Sequence, residues 1–372
     1  MIREAWSLVL QTLSGLLAAG ERWLFDGRKA AYGLSVLRIM LGVAVLGSLV
    51  VNATARDYVW GPGSRWMEPY VATDEWGLPF TAIFGMSDGT GLFAVKYVVL
   101  IAVAVAFTVG WWTRITTPVL LVMLTSLMRL APLSTDAGDN LARIVLLFLC
   151  FADAARVWSL DARRRRQRVS LPNVTRPPEW FGTLLHNTAL VAIACQVFVL
   201  YVTSGLSKVQ GSMWQEGVGL YYPLQIGQYA SWPELNEIVY ASGAFVTVGS
   251  YVTVFVQLFF PLTLLRRGTR IVALLAVFVM HVGIAVTMAL PWFSLAMLAT
   301  DAIFIRNDTY RAFARWLRRG WARHRHNRQS RHKDRHNPPV RSTTSESTTG
   351  TESRLGNVAH GSSDREPGVA PD

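Results

Sequence analysis

The chain has 372 residues, of which 51% are hydrophobic and only 16% charged, with 14 tryptophans and a mean hydropathy of +0.29. This is too apolar for the surface of a water-soluble domain of that length and points to a polytopic membrane protein. The formal net charge of +12 resembles a nucleic-acid signature, but the excess sits in one loop and in the tail, so it reads as a topology signal and no nucleic-acid partner is expected.

At the N-terminus, "EAWSLVLQTLSGLLAAGERWLF" lacks a basic, apolar and small-residue cleavage pattern. It predicts an amphipathic helix lying along the membrane surface within residues 1–29. A crossing helix needs roughly 20 mostly apolar residues. Eight runs approach this: Ala30 to Val51, Leu92 to Trp112, Thr116 to Ala131, Asn140 to Ala155, Leu184 to Ser207, Val239 to Leu265, Ile271 to Leu290 and Trp292 to Ile305. The third, fourth and eighth are short.

Lys and Arg fall in alternate loops, as the positive-inside rule requires. Arg22, Arg28 and Lys29 precede the first run, Arg114 joins the second and third, "RVWSLDARRRRQRVSLPNVTR" follows the fourth, "RRGTR" the sixth and a basic tail the eighth. The intervening loops hold Arg56, Arg65 and Lys208. The expected fold is therefore all-α, an integral membrane helical bundle of about eight spans with both termini cytoplasmic. Residues 307–336 read as a basic helix on the inner leaflet, and 337–372, rich in Ser, Thr and Pro, as a disordered tail. The histidines in "RHRHNRQSRHKDRH" are interleaved with arginines and have no Cys or acidic neighbour at ligand spacing, so no metal is expected. Cys150 and Cys195 lie in apolar runs and read as small hydrophobes. The sequon at Asn173 falls on the predicted cytoplasmic side.

An ionisable group within a span costs on the order of 2.5–3.5 kcal/mol on insertion scales, so each one calls for a partner or a use. Arg129 lies near the outer end of the third run, Asp136 and Asp139 in the following turn, and Arg143 one helical turn beyond Asp139. Read structurally, the aspartates neutralise the two arginines and clamp the hairpin; read functionally, the same charges line an outward-opening cavity. Arg38 is expected to pair with Asp301 or a backbone carbonyl, and Lys96 to reach back to the interface. His281 stands in the middle of the seventh run, either as a hydrogen-bonded core residue or as a functional group.

Tyr201, Ser204 and Lys208 are spaced i, i+3 and i+7 on one helical face, beside Gly205, which allows close approach of a neighbour or ligand. Lys208 precedes "MWQEGVGLYY", which returns along the interface. It is either an anchor reaching for water or a base. A partly desolvated lysine becomes a usable general base, suited to a lipid-soluble acid such as a hydroquinone.

Three motifs, "FVLYVTSGLSKVQGSMWQEGVGLYY", "FADAARVWSLD" and "VMHVGIAVTMALPWFSLAMLATDAIFI", occur in an order that resembles the membrane domain of vitamin K-dependent gamma-carboxylase and its bacterial relatives, the HTTM (horizontally transferred transmembrane) family. The likeness covers residues 30–306 and implies a bacterial plasma-membrane location. It implies that Lys208, with Tyr201, Gly205 and Trp214, faces an isoprenoid hydroquinone such as menaquinol. It likewise implies that His281, ahead of Phe293 and Ser294, belongs to the same site. Two departures stand out: the carboxylase has a histidine in the outer turn where this chain has Gly138 and Asp139, and it continues into a large extramembrane domain where this chain has a basic helix and tail. Both argue against glutamate carboxylation and leave a quinol- or lipid-using reaction open.

Three readings are compatible with these residues. One is a membrane enzyme with Lys208 as base, acting at the outer face on a peptide or small molecule. A second is a non-enzymatic, lipid-binding scaffold or a partner of a secreted peptide in export, maturation or immunity. The third is a transporter, against which stands the lack of a visible inverted repeat.

Overall fold

The structure, a computed structural model, describes residues 2–64, 79–81, 83–85, 87–167, 178–227 and 231–319. Arg65, the Asn173 sequon, the histidine-rich stretch and the tail lie outside the described residues. The chain divides into two compact units, Met1–Ala314 and Arg315–Asp372. In the second, residues 315–319 are helical. The first holds the membrane-length helices and every cavity and hydrogen-bond network named below.

Among the described residues there is helix and turn but no strand. The N-terminal α1 (Ile2–Phe25) leads into α2 (Ala31–Val51), a single turn α3 (Arg56–Val59), α4 (Thr90–Val109), α5 (Thr113–Arg129), α6 (Ala137–Leu149) and α7 (Leu160–Gln167). Then come α8 (Glu179–Gln210), the short α9 (Ser212–Gln215), α10 (Tyr221–Gln225) and α11 (Pro233–Tyr240), and finally α12 (Gly243–Thr263), α13 (Arg267–Thr287) and α14 (Pro291–Asp301). Five of these, α2, α4, α8, α12 and α13, are long and apolar enough to cross a membrane. The third, fourth and eighth expected spans coincide with α5, α6 and α14, of 17, 13 and 11 residues, or roughly 26, 20 and 17 Å at 1.5 Å per residue.

The fourth run is apolar to Ala155, yet α6 stops at Leu149. The chain beyond it turns around Arg38. Its side chain is 0% exposed, and its guanidinium donates from Nε to Ala154 O (3.2 Å), from Nη1 to Phe107 O (2.8 Å) and Thr108 O, and from Nη2 to Trp158 O (2.7 Å). The Ser35 hydroxyl adds a second donor to Ala154 O at 3.1 Å. The last carbonyls of α4, orphaned by helix geometry, and the turns after α6 thus find their partners in α2. Gly110 closes α4 with φ of +73°, and a Cβ there would lie 2.9 Å from Arg38 Nη1 and 2.4 Å from Ser159 Cβ. Both the backbone angle and the space require glycine.

From the same knot Asp161 reaches the N-terminus of α5. Its carboxylate accepts from Trp112 N (3.0 Å), Thr113 N (2.9 Å) and Thr113 Oγ1 (2.9 Å), capping a helix that its own Trp112 cannot cap. The start of α8 is fixed nearby. His186 accepts from Asp153 N at Nδ1 (2.9 Å), which leaves Nε2–H to donate to Lys29 O (2.9 Å). Asn187 Nδ2 holds the C-terminal carbonyls of α1, Leu24 O at 2.8 Å among them. The expected N-terminal helix is thus present, with Trp6, Leu16 and Leu17 exposed along it.

Arg38 places the start of α2 beside the ends of α4 and α6, while at the other extreme the ends of α2 and α5 meet the starts of α6 and α14. The bundle therefore has an arginine-rich end and an opposite end. Lys96, expected to snorkel, is instead held at the opposite end by Asp88, with both carboxylate oxygens at 2.7 Å.

Burial raises the Asp161 carboxyl, but the hydrogen bonds from Thr113 and Trp112 and the charge of Arg165 outweigh it and hold the group below its ordinary value. A depressed aspartate contributes stability above its unfolded value of about 3.9 and loses it as the pH falls through the folded value. Asp161→Ala should lower stability by about 0.5–2 kcal/mol at pH 7. The gap between variant and parent should close as the pH drops below about 4, as read by intrinsic-fluorescence melting in detergent.

Candidate functional site

The polar centre of the bundle is built by α8, α12, α13 and α14. Tyr201, on α8, is 0% exposed, and its hydroxyl donates to Asp301 Oδ2 (2.9 Å) at the end of α14. Its single proton being spent there, the phenol oxygen accepts from His281 Nε2 of α13 at 3.1 Å. The geometry so fixes the histidine as its Nε2–H tautomer, with Nδ1 turned into an acceptor. His281 Nδ1, Asp301 Oδ1 and Ser294 Oγ are all buried without a hydrogen-bond partner among the described residues. The Phe260 ring packs 4.6 Å from that of Tyr201, and Phe293 lies edge-on to His281 at 5.9 Å.

One and two turns further along the same face of α8, Ser204 and Lys208 continue the polar seam. Lys208 Nζ bends back to donate to Ser204 Oγ at 2.7 Å, and sits 5.3 Å from the centroid of the Trp214 ring. The Ser204 hydroxyl donates to Gln257 Oε1 of α12 at 3.3 Å, and Gln257 Nε2 to Met280 Sδ of α13 at 3.8 Å. The amine is half-buried and satisfied by its own helix and an aromatic face instead of extending into water.

Local chain geometry produces this arrangement. Helix α8 ends at Gly211 in extended conformation, and α9 turns Trp214 back over the lysine. Gly219 lies flat on that indole, where a Cβ would meet the ring at 2.3 Å. Tyr251 Oη donates to Gln215 O at 2.8 Å and Ser250 Oγ accepts from Leu220 N at 2.9 Å, pinning the segment to α12. Gly205 admits the backbone of α12, since a Cβ there would lie 3.0 Å from Leu258 N. Of the two expectations for Gly205, close approach of a neighbour is the one realised.

At the opposite end two adjoining cavities, of about 230 and 140 Å³, share Val45, Ser48, Ser134 and Asp139 as walls. Asp136 and Phe293 line the second, and it is the Phe293 ring that lies edge-on to His281. Here the sequence expectation needs correction. Asp136 and Asp139 form a reciprocal capping box at the start of α6, with Asp139 N to Asp136 Oδ1 at 2.9 Å and Asp136 N to Asp139 Oδ2 at 3.1 Å. Arg129 points elsewhere, donating from Nη2 to Phe84 O at 3.2 Å. Arg143 donates to Asn140 Oδ1 at 2.9 Å, and its charge reaches Asp139. The carboxylates were thus drawn to the unpaired N–H groups of a helix start, which lie closer than the guanidinium of Arg129. Arg129 and Arg143 line neither cavity, whereas Asp136 and Asp139 do.

Gly138 explains a further departure. A Cβ at this position would lie 3.0 Å from Phe293 Cα, so a side chain at residue 138 would press on the start of α14. Asp301 and Gln257 belong to the site although sequence reasoning did not select them. The signal for Gln257 was present: it is the one amide within the apolar "YVTVFVQLFF".

An all-helical bundle with several membrane-length helices, a buried hydrogen-bonded core and a lysine at a helix end defines a multi-pass membrane protein. The family model for the HTTM domain matches residues 28–309, and the chain belongs to that family. No curated protein and no solved structure matches.

Removing the Tyr201 hydroxyl would leave the buried Asp301 side chain without a hydrogen-bond donor among the described residues. Tyr201→Phe should cost about 1–3 kcal/mol, and Asp301→Asn a similar amount. Because the two side chains share one hydrogen bond, the double variant should fall short of their sum by at least about 0.5 kcal/mol, measured by melting in detergent.

Proposed function

We propose that this HTTM protein is a membrane enzyme in which Lys208 acts as general base toward a lipid-soluble acid, an isoprenoid hydroquinone of the menaquinol type being the substrate class that best suits the site. The observation that supports this is the setting of the amine: it is folded onto Ser204 and Trp214, partly withdrawn from water and joined through the Ser204 hydroxyl to Gln257 of α12. Loss of hydration disfavours the ammonium, so more of an amine held like this stands neutral, the form that can take up a proton. When bound, a hydroquinone supplies an acidic phenolic proton and a flat ring.

The residues present fit such a group. Trp214 offers an aromatic face, Ser204 and Gln257 orient the amine, and His281 Nδ1 is a buried acceptor without a partner among the described residues. Tyr201 and Asp301 hold the imidazole in the tautomer that keeps Nδ1 available. Asp136 and Asp139 give the neighbouring cavities polar walls through which a small co-substrate enters.

Purified protein should carry extractable quinone and, in air-saturated buffer, oxidise added menaquinol, with dissolved dioxygen as the acceptor of the two electrons and two protons. Lys208→Ala should lower the rate by about 10²-fold or more, while Trp214→Leu should mainly weaken binding. Absence of bound quinone together with equal rates for parent and Lys208→Ala would refute the reading and favour a non-catalytic, lipid-binding role.

The same proposal places α5, α6 and α14 as full legs of the bundle, giving eight crossings with both termini and the arginine-rich end cytoplasmic. In a background carrying Cys150→Ser and Cys195→Ser, single cysteines at Thr135 and Glu234 should react with an impermeant maleimide in intact cells. One at Arg166 should react only after permeabilisation. Labelling of all three without permeabilisation would contradict this topology.

A further inference from the structure

At the arginine-rich end, remote from the seam that holds Lys208, a cavity of about 650 Å³ opens between the start of α5, the turn after α6, α7 and the first turns of α8. Its polar wall carries Arg28, Arg114, Arg164 and Arg165 against Asp153 and Asp161, four positive charges against two negative. Both carboxylates are already committed. Asp153 pairs with Arg28 at 2.6 Å, and Asp161 accepts the three hydrogen bonds that cap α5.

The remaining guanidinium groups are lightly used. Arg165 directs Nη2 to Ala155 O, and Arg164 lies 5.7 Å from the centroid of the Trp111 ring. Arg114 is exposed and makes no ion pair or hydrogen bond with a described residue. Gly182 leaves the room that Arg28 occupies, since a Cβ there would lie 2.9 Å from its Nη2.

The other wall is apolar. Ile115, Phe151 and Phe181 line the cavity and are 55%, 52% and 44% exposed, and Leu185 lines it with them. Arginine forks match phosphate oxygens, and basic pockets between membrane helices attract acidic headgroups. A free phosphate would use only the charged half of such a cavity. We infer that this cavity is a binding site for an anionic phospholipid, its headgroup phosphate held by Arg114, Arg164 and Arg165 and its first acyl carbons laid along Ile115, Phe181 and Leu185.

The test uses the full-length protein in neutral detergent, titrated with short-chain phosphatidylglycerol and followed by microscale thermophoresis. Saturable binding is expected. Arg114→Gln with Arg164→Gln should weaken it by about tenfold or more. Arg163→Gln with Arg166→Gln removes the same charge from residues that do not line the cavity and should change it by less than about twofold. Leu185→Trp, which fills the apolar side without altering charge, should also weaken binding, so the conclusion does not rest on the arginine variants folding. Neither phosphatidylcholine nor inorganic phosphate should displace the lipid. Equal loss in the two arginine pairs would reduce the effect to surface charge, displacement by inorganic phosphate would make the ligand a free anion, and an unaffected Leu185→Trp would remove the apolar wall from the site. Any of these overturns the inference.

Discussion

One guanidinium, that of Arg38, meets carbonyls of two chain segments remote from its own, the end of α4 and the 154–158 turn. A helix that ends in or near hydrocarbon cannot hand its last carbonyls to water, and each one left unpaired there costs several kcal/mol. Arg38 has five N–H groups in a planar fork, and it meets carbonyls at residues 107, 108, 154 and 158. An ammonium carries three donors from one point and has no such reach. Burying the charge is unfavourable in itself, but the carbonyl dipoles of the α4 terminus converge on it, where a cation is favoured. The knot also sets what lies beyond it. With the 154–158 turn fixed, Asp161 stands under α5, the α5–α6 pair keeps its register, and the far turn of that pair meets Phe293.

Two hydrogen-bonded groups lie along one face of α8, Lys208–Ser204–Gln257 and His281–Tyr201–Asp301. Their members come from four helices: Tyr201, Ser204 and Lys208 from α8, Gln257 from α12, His281 from α13 and Asp301 from α14. No one helix carries enough polarity to prevent its insertion, and the cost of the polar groups is offset only when the bundle assembles and they find one another. Close approach of α12 to α8 at Gly205 brings Gln257 within reach of Ser204. The same residue pattern that permits folding therefore builds the polar track.

Much of this was legible in the chain. Spacing placed Tyr201, Ser204 and Lys208 on one face, and the alternation of Arg and Lys anticipated a bundle with one basic end. The ends of α5, α6 and α14 were less legible, because hydropathy reports where a run is apolar and not where its hydrogen bonds are diverted. The run through Ala155 looked helical, yet α6 ends at Leu149, and the carbonyl of Ala154 is bonded to Arg38, more than a hundred residues earlier. Partner choice was legible only in part. Asp301 was considered for Arg38 on charge alone, whereas geometry gave it the Tyr201 hydroxyl. Asp136 and Asp139 had a local competitor, the N–H groups of their own helix, which a capping-box spacing reveals once it is sought. Asp88 was available to Lys96 only through a turn that the sequence did not predict.

The unpartnered atoms carry the most functional meaning when ranked by environment. Arg129 Nε lies in an end region, while His281 Nδ1, Asp301 Oδ1 and Ser294 Oγ lie in the bundle core. An unsatisfied polar atom there is costlier than one at an interface, and three on neighbouring helices α13 and α14 are hard to ascribe to chance. The fourth partner, Tyr201, is fully engaged, so no rotation of its hydroxyl relieves one of them without exposing another. A site built for packing alone would be better served by Phe, Leu and Val at these positions. Polar groups kept in excess of the hydrogen bonds they make among the described residues are a costly feature of this core, and Phe293, whose ring lies edge-on to His281, also lines the neighbouring cavity beside Asp136.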